Sequence, residues 1–328
     1  MSKIRWGVAG PGIIAHKFAE AIKNTDSAEL IAVASTNADR ARAFADKFDI
    51  PNVFSCYDKL ASFEGVDAIY VSTAHPFHKD CAETFLKAKK AVLCEKPLCV
   101  NEKQAKSLCK TAKENDTFLM EAVWTLFLPY FSQLKEIISQ GEIGNVISLD
   151  ADFCYSIERE EDPKLFENEL AGGSLLDVGV YTLHFASKIF EDVPTDVKAI
   201  SDVENGIDLH TRMLLSYGNK KSASLSSAIK LEKPFDAFIY GTKGHIHIPN
   251  FYMADEFTVV KNDGTKKTYL FPYGDNGFEF EIEEVCKCIN SNKLESKTLP
   301  HQDTINVARL MDEIRRNIGL VYPFDRLD

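Results

Sequence analysis

Three side chains that could move protons lie at helical spacing in the second half of the chain. Asp177, Tyr181 and His184 follow Gly172-Gly173 within an otherwise apolar segment. On a regular helix these positions share one face, and polar groups in an apolar setting are costly unless they are paired. The pattern supports two interpretations: a proton-transfer site, or a buried hydrogen-bonded triad that serves packing.

A lysine in a restrained position is a second candidate for chemistry. Glu95-Lys96-Pro97 directly follows an apolar strand-like run, and proline restricts the residue before it to extended backbone. A free phenol has a pKa of about 10, so Tyr181 needs a nearby cation to act as a base at neutral pH. Lys96 could supply that charge, while Asp177 orients a substrate hydroxyl or the tyrosine. The alternative is a surface lysine in a strand-exit loop.

A glycine-rich turn near the start of the chain predicts a site for a dinucleotide pyrophosphate. Residues 10–15 read Gly-Pro-Gly-Ile-Ile-Ala, between a strand-like run and a helical pattern. Gly10 permits the tight turn, Gly12 lets the backbone approach phosphate, and the alanine allows close helix packing. Ile13 and Ile14 then open a helix whose N-terminus attracts anions. An ordinary glycine turn is the alternative.

The residues after the second predicted strand indicate which cofactor is bound. An NAD site usually has Asp or Glu there to hold the ribose 2′-hydroxyl. This chain has Ser35, Thr36 and Asn37 instead, with Arg40 one helical turn later. Hydroxyl, amide and guanidinium groups suit a 2′-phosphate. We therefore expect NADP rather than NAD, and we expect Asp39 to be a solvated helix residue.

Two further clusters have open interpretations. His75, His78 and Cys81 have spacings that could supply metal ligands, but no fourth ligand is evident and no metal is predicted. Thr73, His75 and His78 are instead expected beside the cofactor. Trp124 opens an aromatic run that is either core packing at a domain junction or the wall of a pocket over the nicotinamide.

The order of the predicted elements places most of these residues at the carboxyl ends of strands. β-rich runs near 3–9, 30–34, 66–72, 91–93 and 117–120 alternate with helical patterns near 13–23, 38–48, 77–89 and 102–114. This alternation predicts an α/β domain with a doubly wound parallel sheet and right-handed crossovers. Such sheets bind ligands at the carboxyl ends of their strands.

The alternation of predicted strands and helices ends after about residue 122. Helices near 126–140, 174–190, 277–291 and 302–318 accompany β-rich runs near 146–153, 195–202, 208–217, 221–230, 235–240, 245–248, 256–261 and 267–271. Turn residues separate the later runs, which predicts an α+β domain with a mostly antiparallel sheet. The expected organisation is a dinucleotide-binding domain, 1–122, and a substrate-binding and oligomerisation domain, 123–328.

Composition and charge exclude several classes of function. Lys and Arg total 38 against 49 Asp and Glu, and the net charge of −11 disfavours nucleic acid or an anionic membrane as a partner. No apolar run has the length of a membrane span and no signal-peptide pattern is present, so a cytoplasmic location is expected. The eight cysteines lack a C-x-x-C pair and are expected to be reduced.

Taken together, the motifs resemble the Gfo/Idh/MocA oxidoreductases. The resemblance rests on the glycine turn 10–15, on Glu95-Lys96-Pro97 and on residues 172–179, Gly-Gly-Ser-Leu-Leu-Asp-Val-Gly, and it covers essentially the whole chain. Within the family, residues 120–125 and 177–181 look most similar to the dimeric dihydrodiol dehydrogenase and NADP-dependent D-xylose 1-dehydrogenase branch. The resemblance implies a Rossmann domain and an open-faced sheet domain through which members form dimers or larger assemblies.

The resemblance also implies a reaction and roles for residues. The reaction is hydride transfer between nicotinamide and a carbon of a sugar, polyol or cyclic diol. Lys96, Tyr181 and Asp177 would be catalytic, with Asp177 and Tyr181 in contact with substrate. Glu95 and Lys96 would belong with the cofactor-binding residues. The implied lining of the pocket is aromatic: Trp124, Phe153 and one of Phe278 and Phe280.

Two positions depart from the pattern of the branch. Leu126 stands where its members usually carry arginine, and His184 stands where many family members have an acidic residue. Substrate identity is therefore not transferred. Two other functions stay open. One is a non-catalytic NADP sensor, against which the retained Lys96 and Tyr181 argue. The other is a different reaction, such as hydrolysis or elimination with internally recycled NAD, against which the expected NADP preference argues.

Overall fold

The computed structural model describes residues 3–274 and 276–326. The chain forms two compact units that are interleaved in sequence. The first comprises Met1–Trp124 with Gly274–Ile305, and the second comprises Thr125–Tyr273 with Asn306–Asp328. Each unit contains one sheet.

A six-stranded parallel sheet forms the centre of the first unit. Its strands are β1 (Ile4–Ala9), β2 (Ala28–Ala34), β3 (Asn52–Phe54), β4 (Ala68–Val71), β5 (Ala91–Glu95) and β6 (Leu119–Ala122). The order across the sheet is β3-β2-β1-β4-β5-β6, so the strand order reverses beside β1. Every residue of β4, β5 and β6 is buried, as expected for strands covered on both faces. The doubly wound parallel sheet predicted from the sequence is confirmed.

Nine helices are present in the described ranges. They are α1 (Ile13–Ile22), α2 (Ala38–Phe48), α3 (Tyr57–Ala61), α4 (His78–Lys87), α5 (Glu102–Glu114), α6 (Pro129–Ser139), α7 (Val180–Phe190), α8 (Phe278–Asn290) and α9 (His301–Ile318). The boundary between the two units falls within α9. No helix in these ranges combines the length and the apolar character that crossing a membrane requires.

Two helices begin at side-chain caps that the sequence contains. Asn37 accepts a hydrogen bond from the Arg40 amide and Asn101 accepts one from the Gln104 amide, each at 2.9 Å. Such caps satisfy amides that lack a partner within the helix. Gln104 Oε1 has no hydrogen-bond partner among the described residues, so the reciprocal bond of a full capping box is not formed.

An eight-stranded sheet forms the centre of the second unit. Its strands are β7 (Val146–Cys154), β8 (Asp196–Glu204), β9 (Ile207–Tyr217), β10 (Lys221–Ala228), β11 (Ala237–Gly241), β12 (Gly244–Ile248), β13 (Glu256–Lys261) and β14 (Lys266–Leu270). The order is β14-β13-β12-β11-β7-β10-β9-β8. All neighbours are antiparallel except β7 and β10, which are parallel. The mostly antiparallel sheet is therefore confirmed.

One face of this sheet is covered and the other is not. Helix α7 packs on β7 and β10, and alternate residues such as Leu149, Leu215 and Ile239 are buried. The intervening positions include exposed or half-buried side chains, among them Asp150, Leu214 and Tyr240. This alternation is typical of a sheet that packs on one side only.

Candidate active site

The glycine-rich turn between β1 and α1 has the backbone that a phosphate cradle requires. Gly10 has a φ of +88°, and a Cβ on it would lie 3.0 Å from Thr73 Cγ2. Gly12 is the N-cap residue of α1, and no side chain caps this helix. Ile13, in the first turn, is 75% exposed. An open helix N-terminus of this kind attracts anions through its amides and its dipole.

Thr73 lies beside this turn with an unsatisfied hydroxyl. Thr73 Oγ1 is buried and has no hydrogen-bond partner among the described residues. The preceding Ser72 donates its hydroxyl to the Gly10 carbonyl at 2.9 Å, which fixes the loop after β4 against the turn. Because a buried polar atom without a partner is unfavourable, this hydroxyl indicates a ligand group at the turn. A dinucleotide fits the turn and the hydroxyl together.

The end of β2 carries polar side chains and no carboxylate. Ser35 Oγ accepts a hydrogen bond from the Asn37 amide at 3.1 Å, and the Asn37 side chain is occupied as the cap of α2. Thr36, Asn37 and Arg40 are exposed. Asp39 is exposed in the first turn of α2, as predicted. Arg40 is thus an exposed cation close to the end of β2.

Glu95 fixes the loop that carries Lys96. Tyr70 donates its hydroxyl to Glu95 Oε1, and the Lys96 amide donates to Glu95 Oε2 at 3.2 Å. Glu95 is buried, whereas Lys96 is half-buried. The Lys96-Pro97 peptide bond is cis. Lys96 is thus positioned at the carboxyl end of β5 by contacts of the residue before it.

The two histidines after β4 have different surroundings. His78 is buried, with Nδ1 2.8 Å from the Pro97 carbonyl and Nε2 3.0 Å from the Thr73 carbonyl. Burial lowers the pKa of His78, and a neutral imidazole can donate to only one of these oxygens. His75 is half-buried, with its ring 5.8 Å from that of His78. His78 therefore joins the loops after β4 and β5, and its predicted contact with a cofactor stays a prediction.

The cysteine of the same cluster is not arranged with the histidines as a metal site. Burial raises the pKa of the Cys81 thiol. Within residues 3–274 and 276–326, no group of three or more His, Cys, Asp or Glu side chains is placed to hold a metal ion.

Asp177 and Tyr181 lie on a helical segment that is not regular throughout. Leu175–Gly179 forms a π-helical turn, which continues directly into α7. The sequence predicted one uniform helix from Ser174 to Phe190, and the wider turn changes the angle between Asp177 and the residues after it. Asp177 is half-buried, Tyr181 is 7% exposed and His184 is fully buried. His184 is therefore a core residue of the second unit.

A second tyrosine, Tyr155, fixes the Asp177 carboxylate. The Tyr155 hydroxyl donates to Asp177 Oδ2 at 2.7 Å. Burial raises the pKa of Tyr155, and the Asp177 charge raises it further, so the phenol stays a donor. Tyr155 was not predicted from the sequence. It directly follows β7, two positions after Phe153, and continued strand alternation would put both side chains on one face.

Aromatic rings surround Phe153 in the second unit. Its ring centroid lies 4.3 Å from that of Tyr252, 5.4 Å from that of Phe235 and 5.5 Å from that of Tyr181. In the first unit the predicted pocket residue Trp124 stacks on Phe278, with centroids 5.3 Å apart. Phe278 is one of the two phenylalanines left open by the sequence.

Comparison with known proteins identifies the family. Residues 4–123 match the model of an oxidoreductase family with an NAD-binding Rossmann fold, and residues 131–247 match the Gfo/Idh/MocA C-terminal domain. The trans-1,2-dihydrobenzene-1,2-diol dehydrogenase of Danio rerio is 32% identical over 332 residues, which cover 98% of this chain and 99% of that enzyme. The chain belongs to the Gfo/Idh/MocA family of oxidoreductases.

Solved structures of similar proteins agree with this assignment. A 3-ketoreductase from Actinomadura kijaniata, in complex with NADP and TDP-benzene, has a TM-score of 0.86 at 25% identity, with 97% of this chain and 98% of that chain covered. An aldose-aldose oxidoreductase from Caulobacter crescentus, complexed with glycerol, shares the fold with a TM-score of 0.88 at 20% identity and the same coverage. This Gfo/Idh/MocA protein is an NAD(P)-dependent oxidoreductase.

A fully buried carboxylic acid, Glu281, lies on α8 in the same unit as Glu95. Glu281 is 0% exposed, and neither carboxylate oxygen has a hydrogen-bond partner among the described residues. Burial raises the pKa of Glu281 well above its usual range, and the Glu95 charge raises it further. Glu281 was not predicted from the sequence, although it falls at helical spacing between the buried Phe278 and Val285.

We expect the substitution Glu281→Gln to stabilise the protein increasingly as the pH rises. A carboxyl group with a raised pKa binds a proton in the folded state that the unfolded state has lost. As the pH rises from the ordinary carboxyl pKa towards the raised pKa of folded Glu281, the wild-type free energy of unfolding therefore falls. The slope is about 1.4 kcal/mol per pH unit. The variant lacks this titration. Urea unfolding of both proteins between about pH 5 and about pH 8 measures the difference.

The matched control is Glu283→Gln, which changes an exposed carboxylate on the same helix. Its free energy of unfolding should follow the wild-type dependence on pH. Parallel curves for wild type and Glu281→Gln would show that the buried acid does not titrate differently in the folded state.

Proposed function

We propose that this protein transfers hydride between NADP and a hydroxyl-bearing carbon of a sugar, polyol or cyclic diol, with Tyr181 as the acid/base. The observation that carries the proposal is the pairing of Tyr155 with Asp177 on the segment that bears Tyr181. Similarity over the whole length to enzymes named for a cyclic diol supports the substrate class. When bound, the nicotinamide accepts or donates the hydride.

The chain's own residues supply the proton transfer. In the oxidative direction Tyr181 takes the proton from the substrate hydroxyl, and in the reductive direction it returns the proton. Lys96 stabilises the phenolate form of Tyr181 through its positive charge. Asp177 accepts a hydrogen bond from the substrate, and the Tyr155 hydroxyl holds the carboxylate in place for this contact.

The surroundings of Phe153 support an uncharged substrate. Phe235, Tyr252 and Tyr181 present aromatic rings around it. Aromatic faces bind the apolar faces of rings and offer no counter-charge to an anion. A sugar or cyclic diol has such apolar faces together with hydroxyl groups for Asp177 and Tyr181.

We expect Tyr181→Phe and Lys96→Met each to lower kcat by about 100-fold or more, because positioned acid–base catalysis contributes on that order. The purified protein is screened with NADP and then NAD against aldoses, polyols and cyclic diols, and the absorbance of the reduced nicotinamide is followed. Both variants should still bind the cofactor. Tyr217→Phe, at a buried tyrosine elsewhere in the second unit, is the control and should keep wild-type turnover.

Cofactor binding without turnover on any substrate would contradict the proposed reaction. The protein would then be a non-catalytic NADP sensor, the alternative that the sequence left open.

We propose NADP as the cofactor because Ser35, Thr36, Asn37 and Arg40 follow β2 without a carboxylate at its end. Arg40→Ala should raise KM for NADP by about 10- to 100-fold, the range that losing a charge-assisted hydrogen bond predicts, and leave KM for NAD unchanged. Arg42→Ala removes an exposed arginine from the same helix and serves as the control. Equal effects of Arg40→Ala on both cofactors would exclude a contact with the 2′-phosphate.

We also propose that residues 1–122 bind the cofactor and residues 123–328 bind the substrate and mediate association. The uncovered face of the eight-stranded sheet supports an assembly of identical chains. Ile200, Leu214 and Tyr240 are exposed on it, and the strand register places them on the same side. Exposed apolar side chains on an uncovered sheet face are expected where identical chains associate.

Leu214→Glu should shift the protein from a dimer or larger assembly to a monomer, because it places a charge in the proposed interface. Sedimentation velocity at several protein concentrations measures the change. Val321→Glu alters an exposed apolar residue outside the sheet and should leave the assembly intact. A wild-type protein that is monomeric at every concentration would contradict association through this face.

A further inference from the structure

Asp208, the second residue of β9, lies buried against the turn that precedes Asp177. Its Oδ2 accepts three hydrogen bonds: from Ser174 Oγ at 2.6 Å, from the Leu175 amide at 2.8 Å and from Thr211 Oγ1 at 2.7 Å. The residue is 0% exposed. Hydrogen bonds to an ionised acceptor are stronger than neutral ones, so this carboxylate holds the turn firmly.

Gly173 makes room for the Asp208 carboxylate, and Gly172 makes room for the backbone of Leu165. Gly173 has a φ of +107°, and a Cβ on it would lie 2.3 Å from Asp208 Oδ1. A Cβ on Gly172 would lie 2.5 Å from the Leu165 carbonyl oxygen. The Gly172 carbonyl in turn accepts the Tyr322 hydroxyl at 2.5 Å. The motif that resembles the family signature is therefore shaped, in this chain, around Asp208.

The anchored turn leads directly into the proposed proton-transfer residues. The π-helical turn Leu175–Gly179 carries Asp177, and α7 continues from it with Tyr181. The first amides of a helix lack partners within it, and Asp208 satisfies that of Leu175 with a negative charge at the positive end of the helix dipole. A shift of this bond would displace the whole segment that follows.

A neutral hydrogen-bond acceptor in place of the Asp208 carboxylate would avoid the free-energy cost of burying a charge. Burial raises the pKa of Asp208 to about 6 despite its three donors, which shows that burial disfavours its charge. Asp208 Oδ1 also has no hydrogen-bond partner among the described residues. Local features that oppose stability are expected mainly at functional sites.

We propose that Asp208 is a positioning residue, whose carboxylate sets the start of the π-helical turn and thereby the placement of Asp177 and Tyr181. This inference rests on the proposed function of those two residues.

The test compares Asp208→Ala and Asp208→Asn with the control Leu215→Ala in the full chain. Leu215 is a buried residue of the same strand, about 23 Å from Asp208 along it, so its loss weakens the strand without touching the turn. Hydrogen–deuterium exchange of residues 172–181 is measured together with kcat, KM and cofactor affinity.

For Asp208→Ala we expect exchange in residues 172–181 to accelerate by about tenfold or more, because the Leu175 amide loses its acceptor. We expect kcat to fall by about tenfold or more, with KM for the cofactor unchanged. Asp208→Asn keeps one acceptor oxygen and should lie between wild type and Asp208→Ala. Leu215→Ala should keep wild-type exchange in this segment and wild-type kcat.

Wild-type exchange in residues 172–181 of Asp208→Ala would overturn the proposal. So would an equal loss of kcat in Leu215→Ala, because the effect would then be one of general stability. Exchange needs no substrate: if the wild type turns over no compound, the proposed function fails, and the exchange data alone decide whether Asp208 holds the segment.

Discussion

The parallel pairing of β1 with β2 and β4 is the constraint on which the cofactor side of this protein depends. Strands that run in the same direction end at the same edge, so the loops that follow them meet there. The order β3-β2-β1-β4-β5-β6 puts β4 beside β1, which brings Thr73 to Gly10. Residues more than sixty positions apart in the sequence therefore share one site through backbone pairing alone. Side-chain contacts, such as that of Ser72 with Gly10, only fix the loops in detail.

In each unit a buried carboxylate positions a backbone segment that carries proposed site residues. Glu95 accepts the amide of Lys96, and Asp208 accepts the amide of Leu175. In each case a charged acceptor fixes the first residues of the segment that carries a proposed catalytic group. The two differ from Glu281, whose oxygens have no partner within the described residues and whose acid form is favoured instead. The two carboxylates that accept hydrogen bonds thus fix the backbone, whereas the carboxylic acid without a hydrogen-bond partner among the described residues lowers the stability of the fold.

Local signals in the sequence predicted the regular elements well. Helices α2 and α5 begin after Asn37 and Asn101, as predicted, because a cap acts within one turn. The three-residue β3 and the five-residue α3 were not predicted, because so short a segment shows no periodicity of apolar residues. The parallel pairing of β7 with β10 was missed because pairing depends on topology rather than on alternation. Asp208 was missed for the same reason: what buries it is a turn more than thirty positions away.

The two departures, Leu126 and His184, are both buried but differ in their chemical consequence. Leu126 is buried, so this position gives the second unit an apolar side chain where an arginine would bring a permanent charge. His184 is buried within α7, whereas Asp177 on the preceding turn is half-buried. His184 therefore affects the packing of α7, whereas Leu126 removes a positive charge that an arginine would supply. Loss of a cation disfavours an anionic substrate more than a neutral one, which agrees with the aromatic rings around Phe153 and with the uncharged substrate proposed above.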